Sequence, residues 1–224
     1  MRCSRGRALL LLVTVIAMSG PAAARTVEGV VRDLGPAARA RLAPRFRAAG
    51  AAYPPRAVTL LVLKEERVLE LWAEGASPRL VHRYPVTAAS GVAGPKLRQG
   101  DLQVPEGVYR VLWLNPASSY HLSMKLDYPN AFDRAHARRD GRTDLGGDIF
   151  VHGRAVSIGC VALGDPAIEE LFVLAADVGT ARVKAVIAPR DLRAPSARDP
   201  EVAAPWASEL YALVRREMSR LRAD

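Results

Sequence analysis

Half of the 224 residues are apolar and a quarter are charged, which supplies an ordinary folded core and excludes a disordered chain. The length fits one catalytic domain with flanking segments. The net charge of +9 is spread without a long Lys/Arg block, and no nucleic-acid-binding motif accompanies it. Nucleic acid is therefore not an expected partner, and wall polymer or lipid headgroups suit such a surface better.

Residues 1–24 read as an address. Arg2, Arg5 and Arg7 precede the apolar run from Ala8 to Met18, and Ala22-Ala23-Ala24 follows. That order of basic, apolar and small residues is the order of a cleaved export signal. The run is about half of the roughly 20 residues a spanning helix needs. The expectation is a mature chain that starts near Arg25, has no transmembrane span and acts in the periplasm or cell envelope. Cys3 leaves with the signal, so the mature chain keeps a single thiol, Cys160. A lone thiol in an oxidising compartment is either buried or used.

Residues 25–55 read as an N-terminal helical segment. Val27, Val30, Val31 and Leu34 give one short helix ended at Pro36, and Leu42 and Phe46 a second that stops at Gly50. Strand signals fill residues 56–193. Val58–Leu63 and Val68–Trp72 flank the charged turn Lys64-Glu65-Glu66-Arg67, and Leu80–Val86 and Val108–Leu114 follow. Asn115 to Gly147 is polar and weakly periodic, and reads as a long loop that is a lid, a binding element or a missed element. Asp148–His152 and Val156–Leu163 are further strands. A helix starts at Asp165-Pro166 with Asp165 as its capping carboxylate and ends at Gly179, before a last strand over Arg182–Ala188. Residues 194–224 give a linker and a C-terminal helix opened by Pro205, with Trp206, Leu210, Leu213, Val214 and Leu221 as its apolar stripe. The pattern predicts a mainly β fold with helices at both ends.

The chemistry concentrates in His152-Gly153-Arg154-Ala155-Val156-Ser157-Ile158-Gly159-Cys160. A thiol nucleophile needs a base within hydrogen-bond reach. A continuous strand would part His152 and Cys160 by about 26 Å, and a helix by about 12 Å. The chain must fold back between them, and Gly153 and Gly159 supply the hinges. Gly159 also permits close backbone approach, where amides hold an oxyanion. Ser157 is placed to orient one of the pair. Asp148 either shares a strand face with His152 or caps Gly146-Gly147.

The segment Ile149-Phe150-Val151-His152-Gly153, with Ser157-x-Gly159-Cys160, resembles the active-site signature of YkuD-type L,D-transpeptidases, closest to the YafK-type subgroup. The resemblance extends less specifically from Tyr53 to Arg193. It implies an exported cysteine enzyme with an L,D-transpeptidase-like β-sandwich or barrel, acting on peptidoglycan stem peptides through an acyl-enzyme thioester. It implies Cys160 as nucleophile, His152 as general base, and Ser157, Gly159 and Gly153 as the remaining motif positions, with no cofactor and no metal. Tyr120, His121 and Arg154 are candidate substrate contacts. Two positions depart from the common signature: Ile158 replaces a His, and Ala162 replaces an Arg that helps place the substrate. Arg154 and Lys125 are the nearby cations that would substitute for it.

Other readings stay open. A hydrolase of the same fold would detach protein linked to diaminopimelate, with a wall-linked lipoprotein as partner. A zinc-dependent wall peptidase would use His152, Cys160 and one of His121, His136 or Asp148, although no His-Glu-x-x-His helix supports it. A non-enzymatic wall-binding protein leaves the motif unexplained. His82 and His136 read as structural or solvated.

Overall fold

The computed structural model describes residues 25–222, and the expected export signal lies outside the described residues. The strands are β1 (Val58–Leu63), β2 (Val68–Ala73), β3 (Arg79–Pro85), β4 (Ala88–Ala89), β5 (Gly107–Asn115), β6 (Ser123–Leu126), β7 (Phe150–His152), β8 (Val161–Ala162) and β9 (Val183–Ala188). The helices are α1 (Val27–Ala48), α2 (Ala131–Arg139), α3 (Asp165–Val178) and α4 (Ala207–Ser219). All nine strands join one curled sheet in the order β3-β2-β1-β9-β5-β6-β7-β8-β4. The pairs β1–β9 and β7–β8 are parallel, and the other pairs are antiparallel. The fold is mainly β, as the sequence predicts, and the sheet forms a half-barrel.

Strand periodicity sorts two cores. Val58, Leu60 and Val62 of β1 face inward with Met124, Val151 and Val161, and α1 and α3 cover this larger core. Leu61 and Leu63 face the other way, with Trp72, under Leu210, Tyr211 and Val214 of α4. Burial on both faces explains why β1 reads as an almost continuous apolar run, interrupted only by Thr59.

Four expectations need correction. The two short N-terminal helices are one helix of 22 residues that runs through Pro36 and Pro44. Proline interrupts helical hydrogen bonding, but tertiary packing outweighs it: Leu42 and Phe46 lie in the main core, and Arg39 grips Asp177 of α3 at 2.8 and 2.6 Å. Arg41 and Arg45 both reach Glu170, also on α3.

The supposed loop after Asn115 contains β6 and α2. A reciprocal box starts α2: the Asn130 side chain accepts from the Phe132 and Asp133 amides, and Asp133 accepts from Asn130 N–H. Burial raises the Asp133 carboxyl to about 6. The strands flanking the motif are shorter than expected, because Asp148 turns into left-handed backbone at φ 49° and residues 153–160 form irregular turns. Asp165 does not cap α3. Gly164 holds the cap position, and Asp165 Oδ1 accepts from Arg154 N–H at 2.8 Å.

Candidate active site

The two halves of the motif meet across β7 and β8. Their parallel register sets Val151 beside Val161 and His152 beside Ala162. Extending it by one residue sets Cys160 beside Phe150. Paired residues share a sheet face, so His152 and Cys160 lie diagonally on one face. Strand spacing puts their Cα atoms about 8 Å apart. The carbonyl of His152 accepts from Leu163 N–H at 2.9 Å, and that bond pins the register.

Gly153 is required by close approach. A Cβ there would lie 2.7 Å from the Tyr120 carbonyl oxygen and 2.6 Å from Asp165 Oδ1. Arg154 follows with φ 56°, its N–H held by Asp165 and its carbonyl by the Thr87 hydroxyl at 3.0 Å. The turn is thereby tied to the first residue of α3 and to the strand end before β4. Its side chain is exposed.

His152 is buried, and its Nδ1 lies 2.6 Å from the Gly153 carbonyl. A carbonyl only accepts, so Nδ1 carries the proton and Nε2 keeps the lone pair of a base. The Tyr120 ring lies over it, with centroids 4.5 Å apart and planes inclined by 33°. Burial lowers the His152 pKa, opposed by the Gly153 carbonyl, so the imidazole is neutral near pH 7.

Cys160 is half-buried, and its Sγ is 3.6 Å from the Asp148 carbonyl. Burial pushes the thiol pKa up, while the Phe150 N–H and the Lys125 charge pull it down. The resting pair is therefore a thiol beside a neutral imidazole. The thiol donates to Asp148 rather than to His152 at rest, and such bonds tighten when substrate binds.

Ser157 organises the backbone around Cys160. Its hydroxyl donates to the Cys160 carbonyl at 2.6 Å and accepts from the Cys160 and Gly159 amides at 3.2 and 3.3 Å. Ser90 Oγ stands 3.2 Å away and, as Ser157's proton is committed, acts as the donor to it. Gly159 takes φ 117°, which favours glycine. Its amide is turned to Ser157, so the expected oxyanion role requires that amide to be shared with or released from the hydroxyl.

The remaining candidates scatter. His121 Nε2 lies 2.9 Å from Glu169 Oε1 on α3, a hydrogen bond that ties it to that helix. His136 stacks on Trp206 at 4.5 Å, and His82 stands edge-on to Tyr84 at 4.6 Å. Asp148 contributes its carbonyl to the thiol, not its carboxylate to His152. Among the described residues, no three His, Cys, Asp or Glu side chains group as metal ligands. Ala162 is fully buried beside His152 and Ala88, so an Arg at this position has no room without displacing its neighbours. No helix among the described residues is long and apolar enough to cross a membrane.

Sequence reasoning did not identify Ser90, Phe150 and Trp113 as members of this surface. Trp113 pairs with Lys125, and Lys125 with Phe150, so a cross-strand row runs from β5 to Phe150, whose N–H bonds the Cys160 thiol. An irregularity between Val111 and Trp113 re-aims β5 there. Only strand register reveals such a row.

Residues 57–187 match the family model of the L,D-transpeptidase catalytic domain, YkuD. The chain is 40% identical over 118 residues to YafK of Escherichia coli (strain K12), whose name assigns it provisionally to the L,D-transpeptidases. The match covers 51% of this chain and 46% of that protein, so the chain spans about half the length of this relative. Among solved structures, the helical cell shape determining protein Pgp2 from Campylobacter jejuni is similar, at 24% identity and a TM-score of 0.49 over 60% of this chain and 48% of that one. The matched span includes β1 to β8, His152, Cys160 and most of β9. The chain belongs to the YkuD family of L,D-transpeptidase catalytic domains.

Proposed function

We propose that the protein is an exported cysteine acyltransferase of peptidoglycan stem peptides. The observation that carries this reading is the His152–Cys160 diagonal on one sheet face, with His152 Nδ1 committed to a carbonyl and Nε2 left as the base. His152 takes the thiol proton, and Sγ attacks the carbonyl of a diaminopimelate centre. The imidazolium then protonates the departing amine, leaving a thioester on Cys160. His152 next deprotonates the second nucleophile, which attacks the thioester and regenerates the thiol. An amine acceptor gives a cross-link; water gives hydrolysis.

Hydrolysis is the second reading, on a substrate whose recognition does not rest on the Arg that Ala162 replaces. A diaminopimelate–lysine link to a wall-anchored lipoprotein is the substrate that reading names.

Incubating purified protein with tetrapeptide muropeptides and with protein-linked muropeptides tests both readings. New dimers identify transfer, and released stems identify hydrolysis. Product formation that persists in Cys160→Ala overturns the mechanism. Export predicts an envelope-fraction protein whose N-terminus lies at or near Arg25, and an intact Met1 there contradicts it.

A further inference from the structure

The lysines of this chain divide by what their ammonium groups touch. Lys64 is held by the Val92 and Val104 carbonyls and Glu106, Lys96 by Asp101 and the Arg98 carbonyl, and Lys184 by Glu217. Lys125 differs. Its side chain is only 12% exposed, yet among the described residues its Nζ has no hydrogen-bond acceptor. Its one ionic neighbour, Asp148, is 3.6 Å away on a side chain 94% exposed, a loose and solvated pairing. Beyond that pairing, the donors of the ammonium group are left to solvent or to a ligand.

The surroundings define what fits there. The Lys125 Nζ stands 5.1 Å from the Phe150 ring centroid, and Trp113 meets that ring edge-on at 5.8 Å while remaining 46% exposed. Register puts Trp113, Lys125 and Phe150 side by side on adjacent strands, and the Phe150 N–H bonds the Cys160 thiol. Two strand spacings, about 10 Å, separate the Lys125 and Cys160 Cα atoms. Along this row lie an aromatic platform, a cation paired only loosely with a solvated carboxylate, and the Cys160 thiol.

We infer that Lys125, with Phe150 and Trp113, forms the donor-side subsite, binding a carboxylate of the stem peptide while its aliphatic stem lies on the two rings. The inference rests on the proposed acyl transfer. It assigns to Lys125 the carboxylate recognition that Ala162 cannot give; Arg154, exposed in the turn after β7, is not part of the paired row. The carboxylate comes either from the diaminopimelate side chain or from the peptide terminus.

Acylation of wild-type enzyme is measured with three donors: the tetrapeptide muropeptide, the same donor amidated on the diaminopimelate side chain, and the same donor amidated at its terminus. Amidating the bound carboxylate is expected to lower kcat/KM by about 10- to 100-fold, the range of a lost charged hydrogen bond, and the affected donor identifies the source. Lys125→Met should reproduce the loss on the unmodified donor only, and Lys125→Arg should restore most of it. Trp113→Ala should raise KM with little change in kcat. Equal acylation of all three donors by wild type overturns the inference, as does an unimpaired, folded Lys125→Met. Because wild-type acylation is read in the same assay, absence of acylation with every donor would instead count against the enzyme reading itself.

Discussion

Tyr120 and His152 are joined face to tilted face, 4.5 Å between ring centroids, although they lie on segments far apart in the chain. The Tyr120 carbonyl also crowds Gly153, so one residue fixes both the His152 imidazole and the turn that follows it. Catalysis depends on holding the acceptor nitrogen in place, and a small misplacement is costly. Tyr120→Ala is expected to lower kcat roughly 10- to 100-fold, whereas Tyr120→Phe, which keeps the ring, stays near wild type. Single-turnover acylation distinguishes the two.

The pH profile follows from a neutral resting pair. Burial lowers His152 below its ordinary 6.5 and raises the thiol. The base is competent while unprotonated, so acylation should hold on the neutral plateau and fall only below pH 6.5. His152→Ala removes that acid limb. Its residual rate should be roughly 10²- to 10⁴-fold lower and should climb with pH as thiolate forms. A rate-against-pH series on both proteins checks the shape.

Stability should carry a different pH signature, set by Asp133. Its folded pKa of about 6 lies above the ordinary 3.8, because burial disfavours the charge. The contribution of the neutral acid is fully present below pH 3.8 and is lost as pH rises through 6. At pH 8 the buried carboxylate should therefore cost on the order of 3 kcal/mol. Asp133→Asn keeps an acceptor for the Asn130 amide without the charge. Its melting temperature should gain on wild type as pH rises from about 4 to about 6, and the gain should then level off.

β1, β2, β3, β5, β9 and the final two helices are readable because they follow local periodicity and punctuation. Leu61 and Leu63 alternate with Leu60 and Val62 between the two cores. The failures have physical causes. Pro36 announces a break, but the α1–α3 ion pairs and the buried Leu42 and Phe46 are non-local and overrule it. The start of α2 was legible in Asn130 followed three residues later by Asp133, a signal masked by the polar run around it. The two glycines of the motif show that the chain must fold back, not which strands receive it. That Ala162 is buried, and that Trp113, Lys125 and Phe150 line up with Cys160, depends on cross-strand register between distant segments.

The central claim is that Cys160 becomes acylated through His152. Purified protein mixed with a tetrapeptide muropeptide, quenched in acid and measured by intact mass spectrometry, tests it directly. The account predicts an adduct equal to the stem less its leaving residue, mapped to Cys160, lost in Cys160→Ala and slowed in His152→Ala. Turnover of the muropeptide by Cys160→Ala, or an adduct on another residue, would contradict it.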